Sequence, residues 1–568
     1  MHIDVVPNRN SRPAYLLRES YRDGKTVRKR TLANLSSLPD EQLMAIRAIL
    51  KGQPLYPPEA MFEVVRSRPH GHVEAVSVAM SKLGMASLLA ARPCRERDVV
   101  LAMLAARILA PHTKLATTRW WHSTTLAEEF GVADADEDDL YAAMDWLLER
   151  QQRIENKLAA RHLQSGALVL YDLSSSYFEG STCPLAKRGY SRDGKKGKLQ
   201  VNYGLLTDRR GCPVAISVYE GNTADAKTLL PQVRRVREEF GIAQFVIVGD
   251  RGMLSHGSIE ELREQDGVSW ITALKSVSIR ALLEQGAVQL DLFDERNLFE
   301  FEHADYPGER LVACRNAQLA KLRAHKRESL LAATERNLEK VRASVTSGRL
   351  RGADKIGVRV GKIINQYKVA KHFELEISED AFGFARNAER IASEAALDGL
   401  YIIRTSLPVE QADDAQCVRY YKQLTEVERG FRSLKSVDLH VRPIHHRLAE
   451  RVRAHIFVCM LAYYVEWHLR EAWRELMFAD EDLLAKSTRD PVAPAQRSAA
   501  AQRKVRERTL EDGCVVHSFH TLLSELSTIV RNTSRTPGAG VDAQSFELTT
   551  VASAWQQRAL ELVRQISV

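Results

Sequence analysis

A chain of 568 residues is too long for one core, because domains cluster near ~100–150 residues and single cores stop growing beyond ~250–300. Hydrophobic residues at 45% and charged residues at 27% exclude a mostly disordered chain, and 30 Gly with 18 Pro exclude a collagen-like one. The net charge of +8 is modest for this size, so its meaning depends on where it sits.

Residues 1–56 read as a β-rich amino-terminal cap. Ala14–Tyr21 and Thr26–Leu32 alternate apolar and polar residues about Arg22-Asp23-Gly24-Lys25, and Asp-Gly is a strong hairpin signal. Arg18, Arg22, Lys25, Arg28, Lys29 and Arg30 make this hairpin a candidate DNA clamp. Residues 57–165 read as a helical DNA-binding region, with helices predicted over Arg95–Leu109 and Leu140–His162. The acidic run Asp134–Asp139 precedes the second helix and favours a helix N-terminus. Trp120 and Trp121 are expected in the core rather than as a base-stacking pair.

From Ala167 the pattern turns to strands, and 166–275 reads as the first part of a core. Strands are predicted at Ala167–Tyr171, Leu199–Thr207 and Pro213–Tyr219, then a helix over Asp225–Phe240 and a strand over Gln244–Gly249. A helix over Ser255–Gln265 and a strand over Ser269–Leu274 follow. The order β-β-β-α-β-α-β is that of a ribonuclease H-like α/β fold. Residues 276–396 interrupt it as a mixed insertion, with short strands at Leu298–Phe301, Arg310–Ala313 and Gln366–Glu374. Between Ala320 and Lys371 fourteen Lys/Arg stand against four acids, a net +10 that leaves −2 for the rest of the chain. Such a block suits a polyanion partner, with a solvated charged helix as the competing reading.

Residues 397–480 return to the core through a strand, Gly399–Thr405, and a long helix beginning near Ala415. Residues 481–568 read as a helical carboxyl-terminal region suited to dimerisation, its first part (481–505) a flexible connector. The expected fold class is therefore multidomain α/β. A ribonuclease H-like catalytic core is interrupted by an insertion domain and flanked by a β-hairpin plus helical amino-terminal region and a helical carboxyl-terminal region.

Asp172 and Asp250 each follow an apolar strand segment, where an acid points into the crevice that binds ligands. Two such acids on neighbouring strands can share Mg²⁺, while either alone could cap a turn. Tyr421, Glu428 and Lys435 are seven apart and share a helical face, with Arg432 one turn beyond Glu428. A carboxylate among cations can complete a metal shell while the cations hold phosphates. The alternative is a surface helix with an i,i+4 Glu428–Arg432 pair. Glu426 lies about 200° around the helix from Glu428 and outside this register.

The segments YDLSSSYFEG, GNTADAKTL, VGDRGMLS and YYKQLTEVERGFRSLKS resemble the bacterial insertion-sequence transposases of the DDE type. The branch is the one with a Tyr-x₂-Arg-x₃-Glu-x₆-Lys signature and a β-rich insertion before the last acid. The resemblance covers roughly residues 165–470. It implies that Asp172, Asp250 and Glu428 are the catalytic, metal-binding acids, with Tyr421 and Lys435 at signature positions. Leu424 stands at the signature's Arg position, where Arg429 or Arg432 would substitute. The implied activity is cleavage at transposon ends and strand transfer into target DNA, with two Mg²⁺ ions (Mn²⁺ able to replace them) and no small-molecule cofactor. The implied partners are double-stranded DNA, both terminal inverted repeats and target, and a second copy of the chain in a homodimer on DNA.

The residues expected to contact DNA are Tyr421, Arg432, Lys435, Arg251 and His446, with Lys321, Arg323, Lys326 and Arg327 of the basic block. For His446 a packed core histidine is the alternative. Asn222 and Asp225 are expected to shape a turn and cap a helix, and Arg188, Arg192, Lys195, Lys196 and Lys198 to form a flexible basic loop near Asp172. Two other functions fit the same residues: a catalytically inert DNA-binding protein of transposase descent, or a nuclease without strand transfer.

No apolar run approaches the ~20 residues of a membrane span; the longest, Ile456–Val465, is followed at once by Glu466. The start MHIDVVPNRN lacks a signal-peptide pattern. Seven scattered cysteines, never in a Cys-x-x-Cys pair, argue against a disulfide framework or a zinc site. The expectation is a cytoplasmic protein with no membrane partner, nucleoid-associated when bound to DNA.

Overall fold

A two-residue turn at Gly24-Lys25 closes the amino-terminal hairpin, with Gly24 at φ 62° as such turns require. The computed structural model describes residues 1–9, 12–53, 62–289, 293–535 and 545–568, which divide into two units. The first unit, Met1–Arg68 with Val530–Thr550, opens with a three-stranded antiparallel sheet. Its strands are β1 (His2–Val6), β2 (Ala14–Asp23) and β3 (Thr26–Asn34). Four of the six basic side chains expected on the hairpin meet acids: Arg18 and Lys29 share Asp4, Arg28 faces Asp23 and Arg30 faces Glu19. The helix Asp40–Leu50 follows, and then β4 (Glu63–Pro69). The expected boundary at 56/57 lies outside the described residues.

The second unit is built on an eight-stranded sheet. In chain order its strands are β5 (Ala167–Phe178), β6 (Leu199–Thr207), β7 (Pro213–Glu220), β8 (Phe245–Val248), β9 (Val268–Ala273), β10 (Leu298–Phe301) and β11 (Arg310–Arg315). A separate two-stranded sheet, β12 (Phe373–Ile377) with β13 (Phe382–Arg386), precedes β14 (Leu400–Thr405). The large sheet runs β10-β11-β14-β9-β8-β5-β6-β7, with β5, β8 and β9 parallel and the remaining pairs antiparallel. Finally β15 (Val530–Arg535) and β16 (Ser545–Thr549) pair in the first unit, in the order β16-β15-β4.

The insertion mixes short strands and helices. Its strands β10 and β11 continue the central sheet through β14. The rest is mainly helical, a 30-residue helix Ala317–Thr346 and a second, Ala353–Gln366. Leu331, Leu338, Val341 and Val345 meet Ile356, Val360, Ile364 and Phe373 in a small core of their own. The strand expected over Gln366–Glu374 begins only at Phe373, because Gln366 closes the preceding helix.

The helical region before β5 is not an appendage. Its helix Arg95–Leu109, as predicted, is almost wholly buried against the helices Glu137–Leu148 and Ala449–Ala472. Asp136 caps Glu137–Leu148, accepting from the backbone N–H of Asp138 and Asp139, which is the role expected of the acidic run. The helix predicted over Leu140–His162 is two, Glu137–Leu148 and Gln151–His162. Trp121 is fully buried and Trp120 half-buried. Residues 481–505 are docked rather than flexible: Arg419 donates to the carbonyl of Arg489, Asn316 to that of Val492. Nor is the carboxyl-terminal region wholly helical, since it supplies β15 and β16. Among the described residues no single helix is long and apolar enough to cross a membrane, and the one bent pair that passes by composition lies largely in this core.

Close packing governs the sheet beside β5. A Cβ on Gly204 of β6 would lie 2.1 Å from the buried Tyr171 hydroxyl, which sits 3.3 Å from that of Tyr219. Gly204→Ala is therefore expected to destabilise the protein by about 1–3 kcal/mol through overpacking. Gly257→Ala, on an exposed helix with nothing near the added atom, is expected to be neutral or slightly stabilising. Paired urea unfolding curves of the two variants check this.

Candidate active site

The parallel register of β5 and β8 pairs Leu170 with Val248, so Asp172 and Asp250 each stand two residues past the same rung. Asp172 is not at a strand end, as expected, because β5 runs on to Phe178 along β6. Its parallel partner β8 stops at Val248, which opens the sheet beside Asp172. Asp250 is exposed and Asp172 half-buried. One Asp172 oxygen accepts the backbone N–H of Leu173 at 2.8 Å.

The third acid arrives on a helix built in pieces. A capping box of Asp413 and Gln416 starts the helix Asp414–Lys422. The chain then breaks at Gln423, resumes as Leu424–Arg432 and ends in a π turn over Ser433–Val437. Val427 and Phe431 bury themselves against β5 and β6, Phe431 meeting the Tyr203 ring edge-on at 5.8 Å. Gly430 permits this approach, since a Cβ there would lie 3.1 Å from Tyr463 and 3.3 Å from Leu205. Glu428 is left exposed on the other side. Burial first, and then the charges of Asp250 and Glu428, push the Asp172 carboxyl up to about 7, against the pull of the Leu173 N–H and of Arg192. Burial and the neighbouring Asp250 likewise push the Tyr421 phenol up.

The other sequence-predicted residues divide. Arg251 and Arg432 are exposed, Arg251 close enough to act on Tyr421. Among the described residues Glu428 and Arg432 form no ion pair with each other. Glu426 instead binds Arg429 at 2.8 Å on the side facing Gly211. Lys435 is off the expected stripe: the π turn rotates it inward, where it is 9% exposed and bound to Asp193 at 3.0 Å. His446 is packed between Tyr141 and His455, ring centroids 6.0 and 5.1 Å away. Burial and then Lys114 push it down to about 3. In the basic block Lys321, Arg323 and Lys326 are exposed, whereas Arg327 is held by both oxygens of Asp398.

Two residues given other roles at the sequence level, Arg192 and Asp225, shape the site, together with Asp193, which was given none. Arg192 donates to both carboxylate oxygens of Asp225 at 2.7 Å, and its N–H to Ser175 of β5 at 3.1 Å. Asp193 accepts the N–H of Tyr177 at 3.1 Å and the cations of Lys435 and Arg442. Asp225 makes no capping bond to its helix. The loop expected to be flexible is thus tied along β5. Only the density of Arg and Asp in YSRDGKKGK and GNTAD hinted at this, because the partners lie far apart in the chain.

Residues 168–465 match the model of the transposase DDE domain family, and residues 3–56 that of the IS1634 family transposase, N-terminal domain. No curated protein matches the chain. Among solved structures, a cryo-EM structure of the piggyBac transposase synaptic complex with hairpin DNA is similar at 10% identity and a TM-score of 0.33. The likeness covers 80% of this chain and 77% of that one.

Since Asp172 is held near 7 in the fold against 3.8 ordinarily, the folded state binds the extra proton between those values. Stability therefore falls as pH rises through that window. Without divalent metal, the wild type is expected to lose about 1–2 kcal/mol more than Asp172→Asn between about pH 5 and pH 8. Unfolding titrations at the two pH values check the difference, which added Mg²⁺ should shrink at the higher pH.

Proposed function

Because the chain belongs to the DDE transposase family, with an IS1634-type amino-terminal domain, and is therefore an enzyme that cleaves and joins DNA, we propose that Asp172, Asp250 and Glu428 are its catalytic carboxylates. The observation that carries this is their mutual charge: burial and both other acids raise Asp172. We further read the order β7-β6-β5-β8-β9, in which β6 alone runs antiparallel to the other four strands, as a ribonuclease H-like core. Strands β14, β11 and β10 extend it beyond β9. In this reading residues 276–396 interrupt the core as an insertion, 57–165 support DNA binding and 481–568 serve dimerisation. The protein works in the cytoplasm as a homodimer on DNA.

DDE transposases use divalent metal ions, and three carboxylates whose charges bear on one another are hard oxygen donors suited to Mg²⁺ or Mn²⁺. Asp172, Asp250 and Glu428 would hold the metal, which supplies Lewis acidity for activating water or a 3′-hydroxyl and for stabilising the leaving oxygen. The remaining steps fall to the chain. Tyr421 stands beside the Asp250 carboxylate. Arg192, locked by Asp225, keeps a positive charge beside Asp172 without approaching the scissile phosphate itself. Arg251 and Arg432 are the exposed cations placed to neutralise phosphates flanking it. Lys435 acts by holding Asp193 and so the loop, a positioning role rather than a DNA contact.

Two outcomes test this reading. Asp172→Asn, Asp250→Asn and Glu428→Gln should each lower cleavage of a terminal-inverted-repeat substrate by at least about 10³-fold while a gel shift shows DNA still bound. A variant that cleaved at the wild-type rate would remove its residue from the site. For the basic lobe, Lys321, Arg323 and Lys326 replaced together by Gln should weaken end binding and flatten log K against log salt by up to ~0.9 per lost phosphate contact. Arg327 is spared in that variant because its partner Asp398 makes it part of the fold.

A further inference from the structure

Remote from the carboxylates in chemistry, three soft or borderline donors converge at the turn that follows β6. His162 closes the helix Gln151–His162, Cys212 ends the turn between β6 and β7, and His468 lies near the end of the helix Ala449–Ala472. The Cys212 Sγ is 3.8 Å from His468 Nε2 and 4.0 Å from His162 Nε2. All three donor atoms lie within 4.8 Å of one another. Cys212 is fully buried and His468 nearly so.

From this convergence we propose a structural zinc site formed by His162, Cys212 and His468. Zn–S near 2.3 Å and Zn–N near 2.0–2.1 Å at a tetrahedral angle place S and N about 3.5–3.6 Å apart. The two S–N separations need to close by only a few tenths of an ångström, and the two imidazole nitrogens, within 4.8 Å of each other, must approach to about 3.4 Å. Mixed thiolate and imidazole donors select zinc over magnesium, so the site is chemically distinct from the carboxylates. The fourth position is left to a non-protein oxygen.

The surroundings suit a fixed ion. Asp208 accepts the backbone N–H groups of Arg210 and Cys212 at 2.8 and 3.0 Å, which sets the turn. Tyr464 and Trp467 pack on His468 with ring centroids 4.8 and 4.9 Å away. The Tyr464 hydroxyl lies 3.0 Å from His162 Nε2, a bond that zinc would replace. The three ligands come from a helix before β5, a turn of the sheet and a helix after the catalytic one, so one ion would staple three separate elements. The turn also abuts the helix of Glu428: a Cβ on Gly211 would lie 2.7 Å from Cβ of Glu426. Zinc would thereby brace the element that carries the third acid.

The test uses the full-length protein, stripped with a chelator and reconstituted with Zn²⁺ or Co²⁺, in the wild type and in an Asp172→Asn/Asp250→Asn background lacking the carboxylate site. We expect one equivalent of zinc per chain in both, measured by elemental analysis. The Co²⁺ form should show tetrahedral visible bands and a thiolate-to-metal charge-transfer band. Cys212→Ser and His468→Gln should lose the bound metal, and the charge-transfer band should vanish in the first. The spectrum of the Co²⁺ wild type decides the matter even if a variant fails to fold. Absence of stoichiometric metal from folded, reconstituted protein would overturn the site, as would Co²⁺ bands without thiolate character. Metal lost only in the Asp172→Asn/Asp250→Asn background would assign it to the carboxylates instead.

Discussion

Burial first, and then repulsion from the like charges of Asp250 and Glu428, raise the Asp172 carboxyl. The second unit is arranged so that the repulsion cannot be relieved by moving apart. The β5–β8 ladder sets Asp172 and Asp250 in register. The helix of Glu428 is clamped on the sheet by Val427 and Phe431 and by the close approach at Gly430. These supports are apolar contacts and backbone hydrogen bonds, which do not titrate near neutral pH. The three carboxylates are therefore held by parts of the fold that carry no charge of their own.

A second set of charges is spent on structure. Arg192 with Asp225, and Asp193 with Lys435 and Arg442, turn the segment after β5 into a wall. Removing one member of such a buried pair leaves an uncompensated charge, which costs more than the pair itself contributes. Cations available to DNA are those left over from this lattice. Arg251, Arg432, Lys321, Arg323 and Lys326 are exposed, while Lys435 and Arg327 are committed to Asp193 and Asp398. Net charge along the sequence counts both kinds alike.

The insertion illustrates the same division. Its long helix uses Glu328 and Glu335 to hold Arg386 of β13 through four hydrogen bonds of 2.7–2.8 Å. Two of the four acids in the basic stretch are thus tied to a residue outside it. The remaining surface is more one-sided than composition suggests, and β10 and β11 root the module in the central sheet. An element anchored in that sheet and also basic can follow DNA without a flexible tether.

How much was legible depended on range. Strand period and apolar runs act over a few positions, so β6, the strand pair β8 and β9 and the helix Arg95–Leu109 were readable from residues alone, as was a helix start near the acidic run Asp134–Asp139. The three candidate acids were singled out by their offsets from such elements, Asp172 and Asp250 after apolar strand segments and Glu428 seven residues beyond Tyr421. What the tertiary structure decided were matters of pairing and register. A π turn moved Lys435 off the expected stripe, β8 ended before β5 did, and distant carboxylates claimed Arg192 and Arg327. The Cys-His-His cluster was invisible to spacing rules because its members stand 50 and 256 positions apart. Local chemistry is written in neighbouring residues, whereas charge pairing and donor convergence exist only once the chain has closed on itself.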